Sequence, residues 1–373
     1  ALLGRALAAD PANPNLHLRL ALLALDAFDF RAAAAGFEAV LRLDPGKPHV
    51  RGRLAGCYNV VQDFERALDV LSGETGAQHE RGIALAGLGL EAEAEAEFRA
   101  VLSADPHNRQ ACRKLCHSLR RSARWPELLA TCEALDERGA AHTQLFYDWG
   151  MALALNGQRA KAQSILFDRR RVAAARLPVP EGWGDIEGFN AALAEEILAN
   201  PDRLSDFVAE EAANRGSSRV HSLLTGRRPD LVRQLLGMIE TAASAYPAGR
   251  PGAFDPWAAA RPDTARLNAW GLIQRGGDYE EWHMHRDGWL SGVYYVRIPS
   301  TVSAEGGGPG CIEFGPPSSL EAVMPGVVPY WRCAPEEGML LLAPSHYAHR
   351  TIPTGSNEYR ISFAFDVVPV KAC

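Results

Sequence analysis

Near the start of the last quarter of this 373-residue chain stands His283-Met284-His285-Arg286-Asp287, where three side chains able to ligate a metal alternate along the backbone. In an extended strand, side chains at i and i+2 point to one face, about 7 Å apart. His285 and Asp287 can therefore reach one ion, and so can His283 and His285. A histidine from a distant strand would complete a face of three ligands, and His349, within Pro344-Ser345-His346-Tyr347-Ala348-His349, is the candidate. Two imidazoles and one carboxylate leave the opposite positions open, which is the arrangement of non-haem Fe(II) oxygenases. Those positions would take a bidentate 2-oxo acid and O2. Zinc has no redox chemistry to offer, so oxidation there requires iron. Two ligand sets stay open: His285, Asp287 and His349, which the literal His-x-Asp favours, or His283, His285 and His349 with Asp287 in the turn. Whichever of His283 and Asp287 is not a ligand supports one or faces the substrate.

A 2-oxo diacid also needs a cation for its far carboxylate. Arg360 follows His349 on a late strand, and its planar fork pairs with a carboxylate bidentately. Ser362, two residues on, faces the same side and can add a hydroxyl. Arg297 is an alternative clamp, but Ile298-Pro299 beside it marks a strand end. On alternation one of Tyr294 and Tyr295 faces the interior, and Tyr295 is the candidate to touch the co-substrate. His346 is expected to face away from the metal, Trp289 to pack at the mouth of the site, and Asp366 to act as a strand-end cap. The remaining histidines read as structural or surface residues.

With these residues in view, the run from Asn268 to Pro369 resembles bacterial tetratricopeptide-repeat proteins that carry a 2OG-Fe(II) oxygenase domain. The resemblance rests on His283-x-His285, Gly288-Trp289, Ser291-Gly292-Val293-Tyr294-Tyr295, Gly338-x-Leu340, Pro344-Ser345, His349, Arg360-Ile361-Ser362-Phe363 and Phe365-Asp366-Val367-Val368-Pro369. It implies an Fe(II) site, 2-oxoglutarate and O2, and it names no substrate. The family's pattern is His-x-His followed by a turn, with a residue at the position of Asp287 that is often not acidic.

The elements that must position these residues change character along the chain. From Arg266 onward come short runs separated by turns, at 267–274, 280–285, 291–297, 310–314, 338–343 and 358–368. They fit a double-stranded β-helix, the jelly roll of cupins and 2-oxoglutarate oxygenases. Gly306–Gly310 lacks the Lys-Ser/Thr of a phosphate loop and reads as a hairpin turn. Upstream, 189–198 and 229–246 read as amphipathic helices bracing the barrel. The stretch 247–262 reads as loop.

The first half is repetitive. Asp10-Pro11 and Asp44-Pro45 stand 34 residues apart, and Asp105-Pro106 closes a later unit. That period with Asp-Pro at the boundary is the signature of tetratricopeptide helix pairs. Small and large residues recur inside the units, as in Ala21, Ala33 and Phe37, then Gly82, Ala94 and Phe98. The second unit is short, with a helix or turn trimmed near 71–77. The expected class is α+β multidomain: an α-solenoid over 1–167, a linker over 168–187, and an oxygenase domain over 188–373 with a helical lead-in to 265 and a core over 266–369.

Composition sets outer bounds. A net charge of −6 leaves no electrostatic footprint for nucleic acid. No apolar stretch is long enough to span a bilayer. Seven scattered cysteines without a Cys-x-x-Cys argue against a disulfide framework or zinc ribbon and for a reducing cytoplasm. Together these expectations describe an Fe(II)/2-oxoglutarate dioxygenase that hydroxylates a peptide or protein presented by the repeat groove. The rivals are a three-histidine cupin-type iron enzyme without 2-oxoglutarate, and a repeat scaffold whose oxygenase domain only binds. Oligomeric state is not legible in the sequence.

Overall fold

The structure is a computed structural model that describes residues 2–204, 213–247, 254–303 and 307–370. Gly306, part of the expected hairpin turn, and 248–253 of the expected loop lie outside the described residues, as does Cys373. The chain divides into two compact units, Ala1–Arg124 and Trp125–Cys373.

The first unit is helical: α1 (Leu2–Ala9), α2 (Pro14–Asp26), α3 (Phe30–Leu43), α4 (Val50–Val60), α5 (Phe64–Val70), α6 (Gln78–Gly87), α7 (Glu91–Ala104) and α8 (Arg109–Arg121). The starts follow from capping: the side chains of Asn13, Asp29 and Asn108 each accept a backbone N–H of the helix they precede. The tetratricopeptide spacing holds because small residues let paired helices cross closely. A Cβ on Gly36 would lie 2.8 Å from the Ala21 Cβ, and one on Gly82 would lie 2.7 Å from the Phe98 ring. Phe37, Val40, Leu54, Tyr58 and Leu71 fill the core between them. The shortened second unit is visible as α5, 7 residues against 14 in α3 and in α7.

The second unit opens with α9 (Trp125–Glu137), α10 (Thr143–Leu155) and α11 (Arg159–Leu166). Helices α10 and α11 pack with the C-terminal strands. His346 Nε2 bonds the Ile165 carbonyl at 2.8 Å, and the Asp168 N–H donates to the Tyr347 hydroxyl at 3.0 Å. Phe167 stacks on Phe314 and meets the Tyr347 ring at a tilt. The stretch expected to be linker carries β1 (Ala173–Arg176), the edge of the main sheet.

The other strands are β2 (Arg203–Leu204), β3 (Asn214–Arg215), β4 (Ser218–Val220), β5 (Ala265–Gln274), β6 (Tyr279–Glu280), β7 (Leu290–Arg297), β8 (Ile312–Phe314), β9 (Trp331–Cys333), β10 (Met339–Pro344), β11 (His349–Thr351) and β12 (Arg360–Pro369). All pairings are antiparallel. The main sheet runs β1-β10-β7-β12-β5-β4-β2, a smaller sheet runs β11-β8-β9, and β3 pairs with β6. On β12 the residues Ile361, Phe363 and Phe365 are fully buried in the core, while Arg360, Ser362 and Ala364 line a cleft on the other face. Helix α12 (Ile186–Leu198) covers the outer face, where Asn190 accepts the Tyr294 hydroxyl at 2.7 Å. Helix α13 (Pro229–Ser244) packs on α12. Among the described residues no helix is long and apolar enough to cross a membrane.

Candidate metal centre

The strand expected over 280–285 is shorter than its pattern. β6 ends at Glu280, and the chain then runs extended, held by single contacts. His283 forms an isolated bridge with His349, its N–H and C=O each bonded at 3.0 Å. The His285 N–H donates to the Ser345 carbonyl at 2.9 Å. His283 and His285 thus keep the i, i+2 relation and meet His349 at the start of β11. The ring centroids are 4.3 Å apart for His283 and His349, and 5.2 Å for each of the other two pairs. One ligand nitrogen from each ring lies within 4.8 Å of the others.

Each imidazole is oriented through Nδ1. His283 Nδ1 donates to the Glu281 carbonyl at 2.7 Å, and His349 Nδ1 to the Tyr347 carbonyl at 2.9 Å. His285 Nδ1 meets Asp366 Oδ1 at 2.7 Å. With hydrogen on Nδ1, every Nε2 keeps its lone pair, the form in which imidazole binds a metal. Burial, helped by the charge of neighbouring histidines, pushes His349 down to about 4 and His283 well below its ordinary value. Both are therefore neutral at pH 7. The donor set fits a divalent transition metal such as iron.

Asp287 does not share this face. It is exposed, in the bend at Arg286-Asp287 where the chain turns into β7, and it is outside the three-histidine cluster. The expectation of a common strand face for His285 and Asp287 fails because the extended segment ends at His285. Asp366, read from sequence as a strand-end cap, is in contact with His285. It lies within β12 opposite Asn268 and Ser291, and it also accepts the Ser291 hydroxyl at 2.6 Å. Alternation from Arg360 through Ser362 and Ala364 places Asp366 on the cleft face, a signal that was available in the sequence.

The histidines line a cleft between the two sheets with an empty volume of about 680 Å³, counted to its open side. Arg360, Ser362 and Tyr295 line the same cleft. Arg360 and Ser362 are 3% and 1% exposed. Arg360 Nε and the Tyr295 hydroxyl are buried, and neither donates to a protein acceptor. The guanidinium stands 5.4 Å from the Tyr295 ring centre. Burial pushes the Tyr295 phenol up to about 12, so it is a donor at pH 7. A buried guanidinium without a carboxylate calls for an anionic ligand. Arg297 is not among the lining residues. His346 faces away and is structural, bonded to Ile165 and lying 5.1 Å from the Phe146 ring. Trp289 is buried against Trp257 at 4.5 Å, each indole N–H donating to the other's carbonyl, so it is a packing residue. Sequence reasoning also missed three wall residues, Trp270, Arg219 and Glu280. Trp270 stacks on His285 at 5.7 Å.

Converging imidazoles beside an unpaired buried arginine, in a cleft between antiparallel sheets, define a candidate non-haem metal centre with an anion pocket. Residues 268–366, which contain all of these except Arg219, match the family described as "Putative 2OG-Fe(II) oxygenase". Residues 24–81 match the tetratricopeptide repeat. The chain thus matches a repeat family and an oxygenase family on two separate segments. No curated protein sequence matches it. Similar solved structures include a Pseudomonas putida prolyl-4-hydroxylase, at 12% identity over 54% of this chain and 94% of that one, with a TM-score of 0.37. A Trichoplax adhaerens prolyl hydroxylase in complex with a hypoxia inducible factor peptide fragment is 13% identical over 59% and 90%, with a TM-score of 0.38. YrrB, a tetratricopeptide protein, is 18% identical over 44% and 89%, with a TM-score of 0.36. At these values the likenesses say nothing about reaction or substrate.

Proposed function

We propose that this protein is an Fe(II)- and 2-oxoglutarate-dependent dioxygenase whose metal is held by His283, His285 and His349. In this reading the two sheets are the walls of a double-stranded β-helix. The observation that carries it is one cleft holding three imidazoles whose ligand atoms converge, together with an Arg360 Nε that has no acceptor and the Tyr295 hydroxyl beside that guanidinium. Fe(II), when bound, supplies O2 activation coupled to oxidative decarboxylation of 2-oxoglutarate to succinate. The chain's own residues bind and orient. Arg360 and Ser362 take the far carboxylate of the co-substrate, and Tyr295 donates beside them. Asp366 fixes the His285 ring, and the apolar wall of Val293, Leu341 and Ala343 excludes water from the reacting end. The reaction proposed is hydroxylation, on a peptide or protein that the repeat array recruits.

Anaerobic titration with Fe(II) and 2-oxoglutarate tests the reading through the weak visible charge-transfer band of the chelate. The band is expected in the wild type and in Asp287→Ala, and lost in His283→Ala. Iron binding without a band in the wild type would remove 2-oxoglutarate and leave a three-histidine iron enzyme.

A further inference from the structure

The cleft contains a second charged group that the metal and co-substrate do not use. Arg219 on β4 and Glu280 at the end of β6 line the same wall as the three histidines. Arg219 lies outside the matched oxygenase segment. One guanidinium nitrogen of Arg219 donates to Glu280 Oε2 at 2.9 Å. The side chains are 18% and 5% exposed. The pair is incompletely satisfied: Arg219 Nε has no acceptor, and Glu280 Oε1 has no donor.

The two arginines of the cleft therefore differ in what they can take. Among the described residues Arg360 has no ion-paired or hydrogen-bonded carboxylate, although Glu280 feels its charge, and it suits a full negative charge. Arg219 is already neutralised by Glu280, so a second anion would meet the carboxylate and a cation would meet the guanidinium. What remains is a buried N–H of Arg219 without an acceptor and a buried oxygen of Glu280 without a donor. Buried polar groups left in this state favour a ligand that restores both bonds. The neutral group that both accepts and donates strongly is an amide. Register sets Arg219 opposite Leu272 on β5 and Leu272 opposite Ser362 on β12, so Arg219 and Ser362 flank one strand of the same cleft, and Glu280 stands near enough to Arg360 to feel its charge.

We infer that Arg219 and Glu280 form the subsite for the substrate to be oxidised and that they bind it through an amide, placing that amide beside the metal centre. The inference rests on the oxygenase reading above in assigning Arg360 to the co-substrate. It adds that the oxidised C–H neighbours a neutral amide, of a peptide backbone or of a carboxamide side chain.

The test is saturation-transfer NMR on the full chain, which needs neither metal nor turnover. The probes are N-methylacetamide for a backbone amide, acetamide for a side-chain carboxamide, and methyl acetate as the isostere without an N–H. Arg219→Met/Glu280→Leu removes both charges together and leaves no unpaired ion, which keeps the fold testable. Thermal unfolding checks that it does. At least one amide is expected to give a signal several-fold above the ester in the wild type and in Arg360→Met. The double variant should lose that difference at least five-fold, while 2-oxoglutarate binding falls only in Arg360→Met. Equal signals from amides and ester, or an amide signal that survives the double substitution, overturn the inference. So does a double variant that loses 2-oxoglutarate binding as Arg360→Met does, for the pair then belongs to the co-substrate. Failure of the wild type to bind 2-oxoglutarate would instead sink the oxygenase reading and leave the amide result standing.

Discussion

In the proposed site, Asp366 and not Asp287 is the carboxylate that supports a metal ligand. Its Oδ1 stands 2.7 Å from His285 Nδ1 and 2.6 Å from the Ser291 hydroxyl, and Ser291 is bonded in turn to Ser345 at 2.7 Å. The His285 and Asp366 side chains are 12% and 11% exposed, so solvent screens this bond little. A carboxylate behind a ligating histidine fixes the tautomer and raises the basicity of the other nitrogen. Removing such a partner typically lowers metal affinity 10- to 100-fold, about 1.4–2.8 kcal/mol. Asp366→Ala is therefore expected to weaken Fe(II) binding by that factor. Asp366→Asn, which keeps an oxygen acceptor but not the charge, should fall between it and the wild type. Asp287→Ala should leave affinity within about two-fold, because Asp287 is exposed in a bend away from the three imidazoles. The assay is anaerobic calorimetric titration of Fe(II), with the thermal midpoint of each apoprotein measured alongside. An order-of-magnitude loss in Asp287→Ala with none in Asp366→Ala would refute the three-histidine site and restore Asp287 as a ligand.

Arg360→Ala removes a charge-assisted contact of about 1.5–3 kcal/mol, so the 2-oxoglutarate requirement should rise roughly 10- to 150-fold, read as KM in succinate formation; an unchanged KM would sink its assignment. Gly292→Ala should destabilise the fold by about 1–3 kcal/mol in urea denaturation, because the added Cβ would strike the Phe365 ring and lie 2.7 Å from the Leu341 carbonyl; unchanged stability would show that β7 and β10 can part without cost. Burial pushes His346 down to about 4 in the folded protein, against an ordinary value of 6.5. The unfolded chain then takes the proton first as pH falls. Apoprotein stability should be full above pH 6.5 and decline toward pH 4, with up to about 3 kcal/mol due to this residue. His346→Gln should make that decline shallower, and an equally steep one would refute the assignment.

Much of the architecture was written in local pattern. The 34-residue spacing of Asp-Pro, with glycine and alanine where helices cross, specifies helix pairs because each pair buries its apolar stripe only on its neighbour. The last strand was legible because it alternates an apolar face with a polar cleft face, so a one-residue slip would turn Phe363 and Phe365 out of the core and Arg360 and Ser362 into it. The candidate histidines and the arginine were legible for the same reason, since residue type and alternation limit which side chains can meet.

Spacing alone could not choose the third ligand, because His283, His285 and Asp287 would all share a face in an ideal strand. In the structure the extended segment ends at His285, where the bond to Ser345 gives way to the bend into β7, and this supports the proposed three-histidine set. The same holds for the charged pairs around the site. Asp366 meets His285, and Arg219 meets Glu280, across distances in sequence that no periodicity links, since these contacts exist only once separate strands are paired in register. The chemistry of the site is carried by residue types, which a sequence displays. Its geometry is carried by long-range pairing, which only the folded chain displays.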